Sequence, residues 1–214
     1  MNNFKFFLVR LIKPKFFCTY KIMPNPRLIL DIGVANNSYL EFKAIYPNAI
    51  YHGLDYVGAG AEFESGDKFI LEDLESENAF SRFSEKYDLI VINHVLEHLH
   101  NGQYVFSKLC DLLNVDGVLY AEFPSIRTLR HKKSIFSYHF HDDETHKKLY
   151  KLEDLCNIAF ERGLKVISCG PVSTPLKNLL SLPRAFIALC TRDVAGSHLL
   201  HLSHKVDHII IKRL

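Results

Sequence analysis

The stretch LILDIGVANNSYLEF, residues 28–42, decides the fold of this chain. Within it, a short apolar run ends on Asp31, a glycine follows at position 33, and a helix-compatible segment begins after a short polar loop. In open sheets of parallel strands, ligands bind beyond the carboxyl ends of the strands, where the first loop meets the N-terminus of a helix. We therefore expect a strand, a ligand-binding loop and a helix, in that order.

The loop in this stretch has too few glycines for a dinucleotide. A G-x-G-x-x-G loop lets a pyrophosphate lie against bare backbone, whereas here Gly33 is followed by no other glycine until Gly53. A cofactor without phosphates needs only one close backbone approach and a carboxylate that accepts hydrogen bonds from an amine or a hydroxyl group. The sequence therefore disfavours NAD and FAD.

Short apolar runs alternate with helix-compatible segments along the rest of the chain. Several runs, such as DLIVIN and GVLYAEF, are almost continuously apolar, which is typical of strands that are covered on both faces. The alternation predicts an α/β fold with a doubly wound, mostly parallel sheet in a single domain. The predicted strands are Leu28–Ile32, Ala49–Leu54, Lys68–Leu71, Tyr87–Asn93, Gly117–Phe123, Leu164–Cys169 and Val206–Lys212.

Two helices and the last strand carry further predictions. YVFSKLCDLLNVDG has apolar residues at helical spacing and predicts a helix that stops at Asn114 and Gly117. KLEDLCNIAFERG predicts a second helix with Gly163 as its C-terminal cap. The run KVDHIIIKRL is short and is followed by no segment that could cover a further crossover, so we expect an antiparallel return at the edge of the sheet.

The composition is typical of a soluble globular protein in a reducing compartment. The 214 residues, of which 48% are hydrophobic and 23% charged, suffice for one domain with a substantial core. The net charge of +2 does not indicate a nucleic-acid partner. The cysteines are odd in number and have no paired spacing, which predicts reduced thiols and a cytoplasmic location. They are Cys18, Cys110, Cys156, Cys169 and Cys190.

The first 26 residues form a basic segment without any acid. Because cations interrupt its apolar residues throughout, the segment predicts neither a signal peptide nor a transmembrane helix. It could touch an anionic membrane surface as an amphipathic segment, but we favour an N-terminal helix that packs on the domain and covers a site. We accordingly divide the chain into residues 1–26 and a single domain, residues 27–214. The cations are Lys5, Arg10, Lys13, Lys15 and Lys21.

Three acids follow three successive predicted strands. Asp31 ends the first strand, Asp55 ends the second, and Asp73 comes shortly after the third. Asp55 can accept hydrogen bonds from both hydroxyls of a ribose, and Asp73 can meet the exocyclic amine of a base. Any one of these acids could instead cap the helix that follows it. Because all three stand after successive strands, we predict that they line one rim of the sheet.

Residues 28–169 resemble the class I S-adenosylmethionine-dependent methyltransferases. LDIGVANNS is similar to the first motif of that family, D/E-x-G-x-G-x-G, with Asp31 and Gly33 retained and with Ala35 and Asn37 at the later glycine positions. YDLIVINHVLEHLHNGQYVFSKLCDLLNVDGVLYAEFPS resembles the fourth strand of the family, the following helix and the fifth strand. DETHKKLYKLEDLCNIAFERGLKVISC resembles the segment before the sixth strand in the subgroup that methylates small metabolites, quinones and sugars.

The resemblance implies a seven-stranded, Rossmann-like sheet with an antiparallel last strand. It also implies S-adenosylmethionine as the methyl donor and transfer to an oxygen, nitrogen or carbon nucleophile. The cofactor site that it implies consists of Asp31, Gly33, Val34, Ala35, Asp55, Tyr56, Asp73, Leu74, Asn93 and His94.

The sequence NHVLEHLH suggests two roles for its histidines. His94, Glu97 and His98 stand at i, i+3 and i+4, so on a helix they would share one face, where imidazole and carboxylate groups can bind a divalent metal. Further ligands would come from HFHDDETH. In metal-independent relatives, V-L-E-H-L shapes the wall of the substrate site, and we favour this interpretation, which predicts no metal. The candidate ligands in HFHDDETH are His139, His141, Asp142, Asp143 and His146.

These features together predict a methyltransferase that acts on a hydroxyl or amine of a small molecule or glycan. His98 or His146 would be the base for a hydroxyl acceptor. Residues 175–204 stand where the family builds its substrate cover, and with the basic N-terminus they would suit a lipid-linked sugar at the inner face of a membrane. The alternative, left open by Ala35 and His94, is a non-catalytic relative that serves as a binding or scaffold module. The sequence does not indicate the oligomeric state.

Overall fold

The computed structural model describes Val9 and residues 13–34, 37–58, 63–130, 139–172 and 205–214. The described helices are α1 (Pro14–Ile22), α2 (Ser38–Ile45), α3 (Gly102–Asp111) and α4 (Leu152–Glu161). The strands are β1 (Leu28–Ile32), β2 (Ile50–Asp55), β3 (Lys68–Leu71), β4 (Tyr87–Asn93), β5 (Leu113–Pro124), β6 (Lys165–Pro171) and β7 (Val206–Lys212). Short 3₁₀ turns cover Leu96–His98, Ile126–Arg130 and Phe140–Asp142.

The seven strands form one sheet in the order β3-β2-β1-β4-β5-β7-β6. Strands β1 to β5 run parallel, and β7 runs antiparallel to both of its neighbours, β5 and β6. The predicted doubly wound α/β fold is confirmed, including its antiparallel last strand. The predicted position of that strand at the sheet edge is wrong, because β7 inserts between β5 and β6. Its isoleucines, Ile209, Ile210 and Ile211, are buried on both faces, whereas most of β6 is exposed.

Helix α3 ends earlier, and β5 begins earlier, than the periodicity predicts. The helix stops at Asp111, and β5 already begins at Leu113, which pairs with Tyr87 of β4. The pairing is irregular there, and a Cβ on Gly117 would lie 2.8 Å from the carbonyl oxygen of Tyr87. The predicted helix end at Asn114 and Gly117 is therefore wrong, because these residues form the bulged start of a strand. The end of α4 agrees with its prediction.

Helices cover the sheet on both faces. Helices α1 and α2 pack on one face, and α3 and α4 pack on the other. Leu89 and Val91 of β4 belong to the first layer, while Ile90 and Ile92 belong to the second, and none of the four is exposed. This placement explains the continuous apolar run DLIVIN, since each such side chain contributes roughly 1.5–3 kcal/mol when fully buried.

Helix α1 is part of the first layer. Phe16 and Thr19 are fully buried, and the ring of Phe16 packs edge-on against that of Phe42 in α2 with centroids 4.9 Å apart. The hydroxyls of Thr19 and Tyr46 share a hydrogen bond of 2.9 Å. The favoured interpretation of the N-terminal segment, a helix packed on the domain, therefore holds for α1.

Other parts of the predicted domain division stay predictions. Residues 1–8 and 10–12 of the N-terminal segment lie outside the described residues, as does the whole of the predicted insertion, residues 175–204. Among the helices that the structure describes, none is long and apolar enough to cross a membrane.

His52 makes the stability of the fold depend on pH. It is 4% exposed in β2, and its Nδ1 lies 3.1 Å from the hydroxyl of Tyr87. Burial, reinforced by the nearby charge of Lys68, lowers the pKa of His52 from 6.5 to about 4. The unfolded chain therefore binds a proton at a higher pH than the folded one does, and stability is lost as the pH falls from 6.5 towards 4.

We expect His52 to lower the free energy of unfolding by up to about 3 kcal/mol between about pH 7 and about pH 4.5. Urea unfolding at both pH values measures this decrease in the wild type and in His52→Asn, which lacks the titrating ring. The variant should show a smaller decrease than the wild type. An equal decrease in both proteins would contradict the prediction.

Candidate cofactor and acceptor site

The loop after β1 meets the loop after β4 at Gly33. This glycine has a φ of +80°, and its N–H donates to the carbonyl oxygen of Leu54 at 2.9 Å. A Cβ at this position would lie 2.3 Å from Cγ2 of Val95. Both the backbone conformation and the packing therefore require glycine here. Glycine thus lets the loop after β1 approach Val95 closely at the carboxyl edge of the sheet.

Of the next two residues of the motif, the structure describes Val34 but not Ala35. Val34 packs on β2, because a Cβ on Gly53 would lie 2.9 Å from Cγ2 of Val34. A side chain at position 53 would therefore collide with Val34, which explains the glycine at this position. Ala35 lies outside the described residues, so its predicted cofactor contact stays a prediction.

Asp31 lies below the rim rather than on it. The residue is 1% exposed, and its Oδ2 accepts hydrogen bonds from the hydroxyls of Ser38 at 2.6 Å and Tyr51 at 2.7 Å. It pairs with Gly53, two residues before Asp55, so the three acids do not lie at one level as expected. Burial, followed by the Asp31 carboxylate, raises the pKa of Tyr51, which keeps the phenol a donor. The described contacts of Asp31 hold the loop and the start of α2 in place.

Asp55 and Tyr56 stand at the carboxyl end of β2. The Oδ1 of Asp55 accepts from the N–H of Val57 at 3.2 Å, and its carbonyl oxygen accepts from the N–H of Glu72 at 3.0 Å. The bond from Glu72 ties the ends of β2 and β3 together. Tyr56 is 75% exposed, so its ring is open to a ligand.

Asp73 and Leu74 follow β3 and face different environments. The Oδ1 of Asp73 accepts from the N–H of Glu75 at 2.9 Å, which forms an Asx turn. Leu74 is 4% exposed and belongs to the core layer under α3. A ligand at this loop would therefore meet Asp73 and the backbone rather than the Leu74 side chain.

Asn93 and His94 end β4 at the same edge. The buried Oδ1 of Asn93 has no hydrogen-bond partner among the described residues. His94 follows with a φ of +54°, which is costly for a residue that carries a Cβ. Its N–H donates to the carbonyl oxygen of Glu122 in β5 at 2.9 Å. A strained backbone next to an orphaned acceptor is typical of a functional site.

The imidazole of His94 lies between two carboxylates. Its Nδ1 is 3.1 Å from Oε1 of Glu97, and its Nε2 is 3.4 Å from Oε1 of Glu122. Burial disfavours the charged ring, but the hydrogen bonds with Glu122 and Glu97 outweigh burial and raise the pKa of His94 to about 9. His94 is therefore a cation at neutral pH and cannot act as a base there.

Glu122 is a residue of this edge that the sequence analysis missed. Its side chain is 9% exposed, and its Oε2 accepts from the hydroxyl of Tyr120 at 2.6 Å. Burial and then the Glu122 carboxylate raise the pKa of Cys18 in α1 to about 11. Helix α1 therefore lies beside this end of β5. The available signal was an acid in the otherwise apolar run GVLYAEF.

His98 and His146, the predicted bases, come together. Their ring centroids are 4.9 Å apart. His98 ends the 3₁₀ turn, and His146 lies in the extended segment before α4. The N–H of Lys147 donates to the carbonyl oxygen of Glu97 at 2.8 Å, which holds the segment against the turn.

Tyr150 fixes the same segment farther along. Its hydroxyl accepts from the N–H of Gly102 at 2.8 Å and donates to the carbonyl oxygen of Leu99. A Cβ on Gly102 would lie 2.6 Å from the tyrosine ring. The glycine at the start of α3 is therefore needed for the close approach of the two segments.

The helical face expected for His94, Glu97 and His98 is not formed. The structure has a single 3₁₀ turn, Leu96–His98, and His94 precedes it. The side chains that come together are Glu97, His98 and His146, whose potential ligand atoms lie within 4.8 Å of one another. The other candidate ligands, His139, His141, Asp142 and Asp143, do not belong to this group.

The sequence from residue 11 to residue 169 matches the model of the family described as Methyltransferase domain. Because this match covers more than half of the chain, the protein belongs to that family. The predicted resemblance to methyltransferases is confirmed, whereas the subgroup that acts on small metabolites, quinones and sugars is not. No curated protein matches the chain.

Solved structures of methyltransferases share the fold. A SAM-dependent methyltransferase from Archaeoglobus fulgidus is 18% identical, with a TM-score of 0.59 over 99% of this chain and 100% of that one. The plantazolicin methyltransferase BpumL, in complex with a monoazolic desmethylPZN analog and SAH, is 18% identical, with a TM-score of 0.60 over 99% and 84%. An O-methyltransferase family protein from Burkholderia thailandensis is 13% identical, with a TM-score of 0.56; the match covers 90% of this chain and 52% of that one.

We expect Gly33→Ala to lower the free energy of unfolding by at least about 1 kcal/mol, because a residue with a Cβ at positive φ is strained. The overlap with Val95 adds to this cost. Gly58→Ala is the matched control, since a Cβ on Gly58 has no neighbour within 4 Å. Urea unfolding of both variants measures the difference, and a Gly33→Ala protein as stable as the wild type would refute the packing argument.

Proposed function

We propose that the protein transfers the methyl group of S-adenosylmethionine to a hydroxyl or amine group of a small molecule or glycan. The observation that carries the proposal is the pair of Gly33 and Asp55 at the ends of two adjacent strands. Gly33 places no side chain in the loop at this position, and Asp55 places a carboxylate at the end of the adjacent strand. This pair belongs to a chain of the methyltransferase-domain family.

The described residues fit an aminoacyl nucleoside. Asp55 can accept hydrogen bonds from ribose hydroxyls, and the exposed ring of Tyr56 can pack against a base. The buried Oδ1 of Asn93 lacks a partner among the described residues and can accept from an amino group. Asp73 can accept from the amine of adenine. The SAH in the BpumL structure supports the same choice of cofactor.

In methyl transfer, the protein mainly has to align the acceptor with the methyl group, because the methyl donor is already activated. S-adenosylmethionine, when bound, supplies a methyl group that is already activated on a sulfonium. The residues of this chain then have to hold the acceptor in line and exclude water, and such positioning accounts for much of the rate in reactions of this kind. Asp31 contributes indirectly, because its bonds to Ser38 and Tyr51 fix the loop that carries Gly33.

The acceptor side is formed by the group around His98 and His146. A hydroxyl acceptor gains from a base near neutral pH, and these two rings are the ones that the fold places together at the end of β4. His94 has a different role, because its raised pKa makes it a cation that holds Glu97 and Glu122. It positions the carboxylates rather than taking the proton of the acceptor.

We propose a finer acceptor class and a location from the sequence. The proposed acceptor is a glycan or lipid-linked sugar. The proposed location is the cytoplasm, with peripheral contact with a membrane. In the structure, part of the basic segment already has partners, since Lys13 pairs with Glu41 and Lys15 donates to Ser38. Membrane contact would therefore fall mainly to residues 1–12, and co-sedimentation with anionic vesicles before and after their removal tests it.

A second candidate function is that of a non-catalytic binding or scaffold protein. The strained His94, which departs from the family sequence, favours it. The two candidates differ in their response to S-adenosylmethionine. Calorimetry that detects no binding would remove the enzyme and leave the scaffold.

We expect Asp55→Asn to weaken the binding of S-adenosylmethionine roughly tenfold or more, because a hydrogen bond to a charged group contributes about 1.5–3 kcal/mol. Calorimetric titration measures the affinity. Asp116→Asn is the control, since Asp116 is an exposed acid at the opposite end of β5. Equal affinities for the two variants would remove Asp55 from the cofactor site.

We expect His98→Ala and His146→Ala to lower turnover about 100-fold or more, the range of general base catalysis, while the affinity for S-adenosylmethionine stays unchanged. The assay follows labelled methyl transfer to an acceptor found by screening hydroxyl and amine compounds. His100→Ala is the control, because His100 is exposed and near in sequence. Full turnover in both variants would rule out a catalytic role for these rings.

A further inference from the structure

We propose that Glu97, His98 and His146 bind a divalent metal ion. One carboxylate oxygen of Glu97 and one ring nitrogen of each histidine lie within 4.8 Å of one another. Metal bonds of about 2.0–2.2 Å place ligand atoms at most about 4.4 Å apart. Shifts of a few tenths of an ångström in the side chains, about the difference between these two distances, would close the site.

The hydrogen bonds of His98 leave the right nitrogen for a metal. Thr145 Oγ1 lies 2.5 Å from Oδ1 of Asp143, and a carboxylate can only accept, so the threonine hydroxyl donates to it. The same hydroxyl lies 2.9 Å from Nδ1 of His98 and must accept from it. The neutral ring is therefore protonated on Nδ1 and carries its lone pair on Nε2.

His146 is oriented in the same way by a backbone carbonyl. Its Nδ1 lies 2.6 Å from the carbonyl oxygen of Phe140, which can only accept. The neutral ring is therefore protonated on Nδ1, with the lone pair on Nε2. Metal-binding histidines typically donate their second nitrogen to a carbonyl or carboxylate in this manner. The bond to Phe140 and the chain from His98 through Thr145 to Asp143 both follow this pattern.

Glu97 supplies the buried charge. The residue is 1% exposed, its Oε1 accepts from His94, and its Oε2 has no hydrogen-bond partner among the described residues. A buried carboxylate oxygen without a partner is costly, and a cation bound beside it would remove that cost. His94 itself is not a ligand, since both of its ring nitrogens face carboxylates.

A second carboxylate adds to the attraction for a cation. The Oδ2 of Asp143 lies 3.7 Å from Nε2 of His146. Asp143 also accepts hydrogen bonds from the N–H and the hydroxyl of Thr145. The carboxylates of Glu97 and Asp143 thus flank the two imidazoles, and His94 is paired with Glu97.

The ligand set indicates the class of metal. Two imidazoles with one carboxylate suit a first-row transition ion such as Mn²⁺, Co²⁺ or Zn²⁺ better than Ca²⁺ or Mg²⁺, which prefer oxygen ligands. Three protein ligands leave coordination positions open, as in catalytic rather than structural sites. The open positions would be available to the methyl acceptor, and this last point rests on the proposed function.

With a metal bound at this site, the two histidines would not act on the acceptor as bases. A ring nitrogen that binds a cation cannot at the same time accept a proton. The metal, as a Lewis acid, would then lower the pKa of an acceptor hydroxyl in place of an imidazole base. Loss of turnover in His98→Ala is expected on either account, so metal binding itself has to be measured.

The test titrates Co²⁺ into the full chain without a histidine tag, after removal of metals by a chelator and without cofactor or acceptor. Calorimetry and visible absorption should both report one Co²⁺ per chain for the wild type and for His100→Ala. We expect Thr145→Val to bind roughly tenfold more weakly, because it removes the hydroxyl 2.9 Å from Nδ1 of His98 and keeps only the backbone carbonyl of residue 145 at 3.3 Å. His98→Ala and His146→Ala should bind more weakly still.

The outcomes separate this inference from the proposed function. Absence of stoichiometric Co²⁺ binding by the wild type overturns the metal site, as does binding by His98→Ala and His146→Ala that equals that of His100→Ala. Circular dichroism checks that each variant is folded, and Thr145→Val alone decides the question if a histidine variant is not. S-adenosylmethionine binding is measured separately with Asp55→Asn, so that either proposal can fail without the other.

Discussion

The buried carboxylate of Asp31 is the interaction on which the cofactor side of this protein depends. It accepts hydrogen bonds from Ser38 at the start of α2 and from Tyr51 of β2, and so joins two strands and a helix below the loop. Above it, Gly33 takes a positive φ and touches Val95. A carboxylate in the interior is stable only with such partners. The same bonds that stabilise Asp31 therefore fix the backbone that a cofactor would approach.

The proposed acceptor side is held together by a different set of contacts. The extended segment before α4 is held against the turn after β4 by the carbonyl oxygen of Glu97 and by the hydroxyl of Tyr150. These contacts involve backbone groups, so they place His146 beside His98 whatever the state of the two rings. The imidazole of His94 contacts both Glu97 and Glu122 and so links the two carboxylates. The site is thus assembled from the ends of β4 and β5 and from one connecting segment.

The sequence predicted the strands well because their apolar runs are long and continuous. It predicted the loop at Gly33 because a glycine directly after the first strand of such a sheet indicates a ligand-binding loop. It failed where the decisive contact is distant. The start of β5 depends on pairing with Tyr87, and the depth of Asp31 depends on the register with Gly53. Glu122 stands out locally only as an acid in an apolar run, and Thr145 has no local pattern. The roles of both come from His94 and His98, which are remote in sequence but near in space.

The position of β7 between β5 and β6 has a consequence for how the chain reaches its native state. Among the strands that the structure describes, β6 pairs only with β7, which comes later in the chain. During synthesis, β6 therefore cannot pair with the sheet until β7 is in place. Such long-range pairing slows folding and exposes strand edges in the meantime. The pairing of β7 is thus the last step of sheet assembly. A chain that ended before β7 would leave β6 as an unpaired strand that is prone to aggregation.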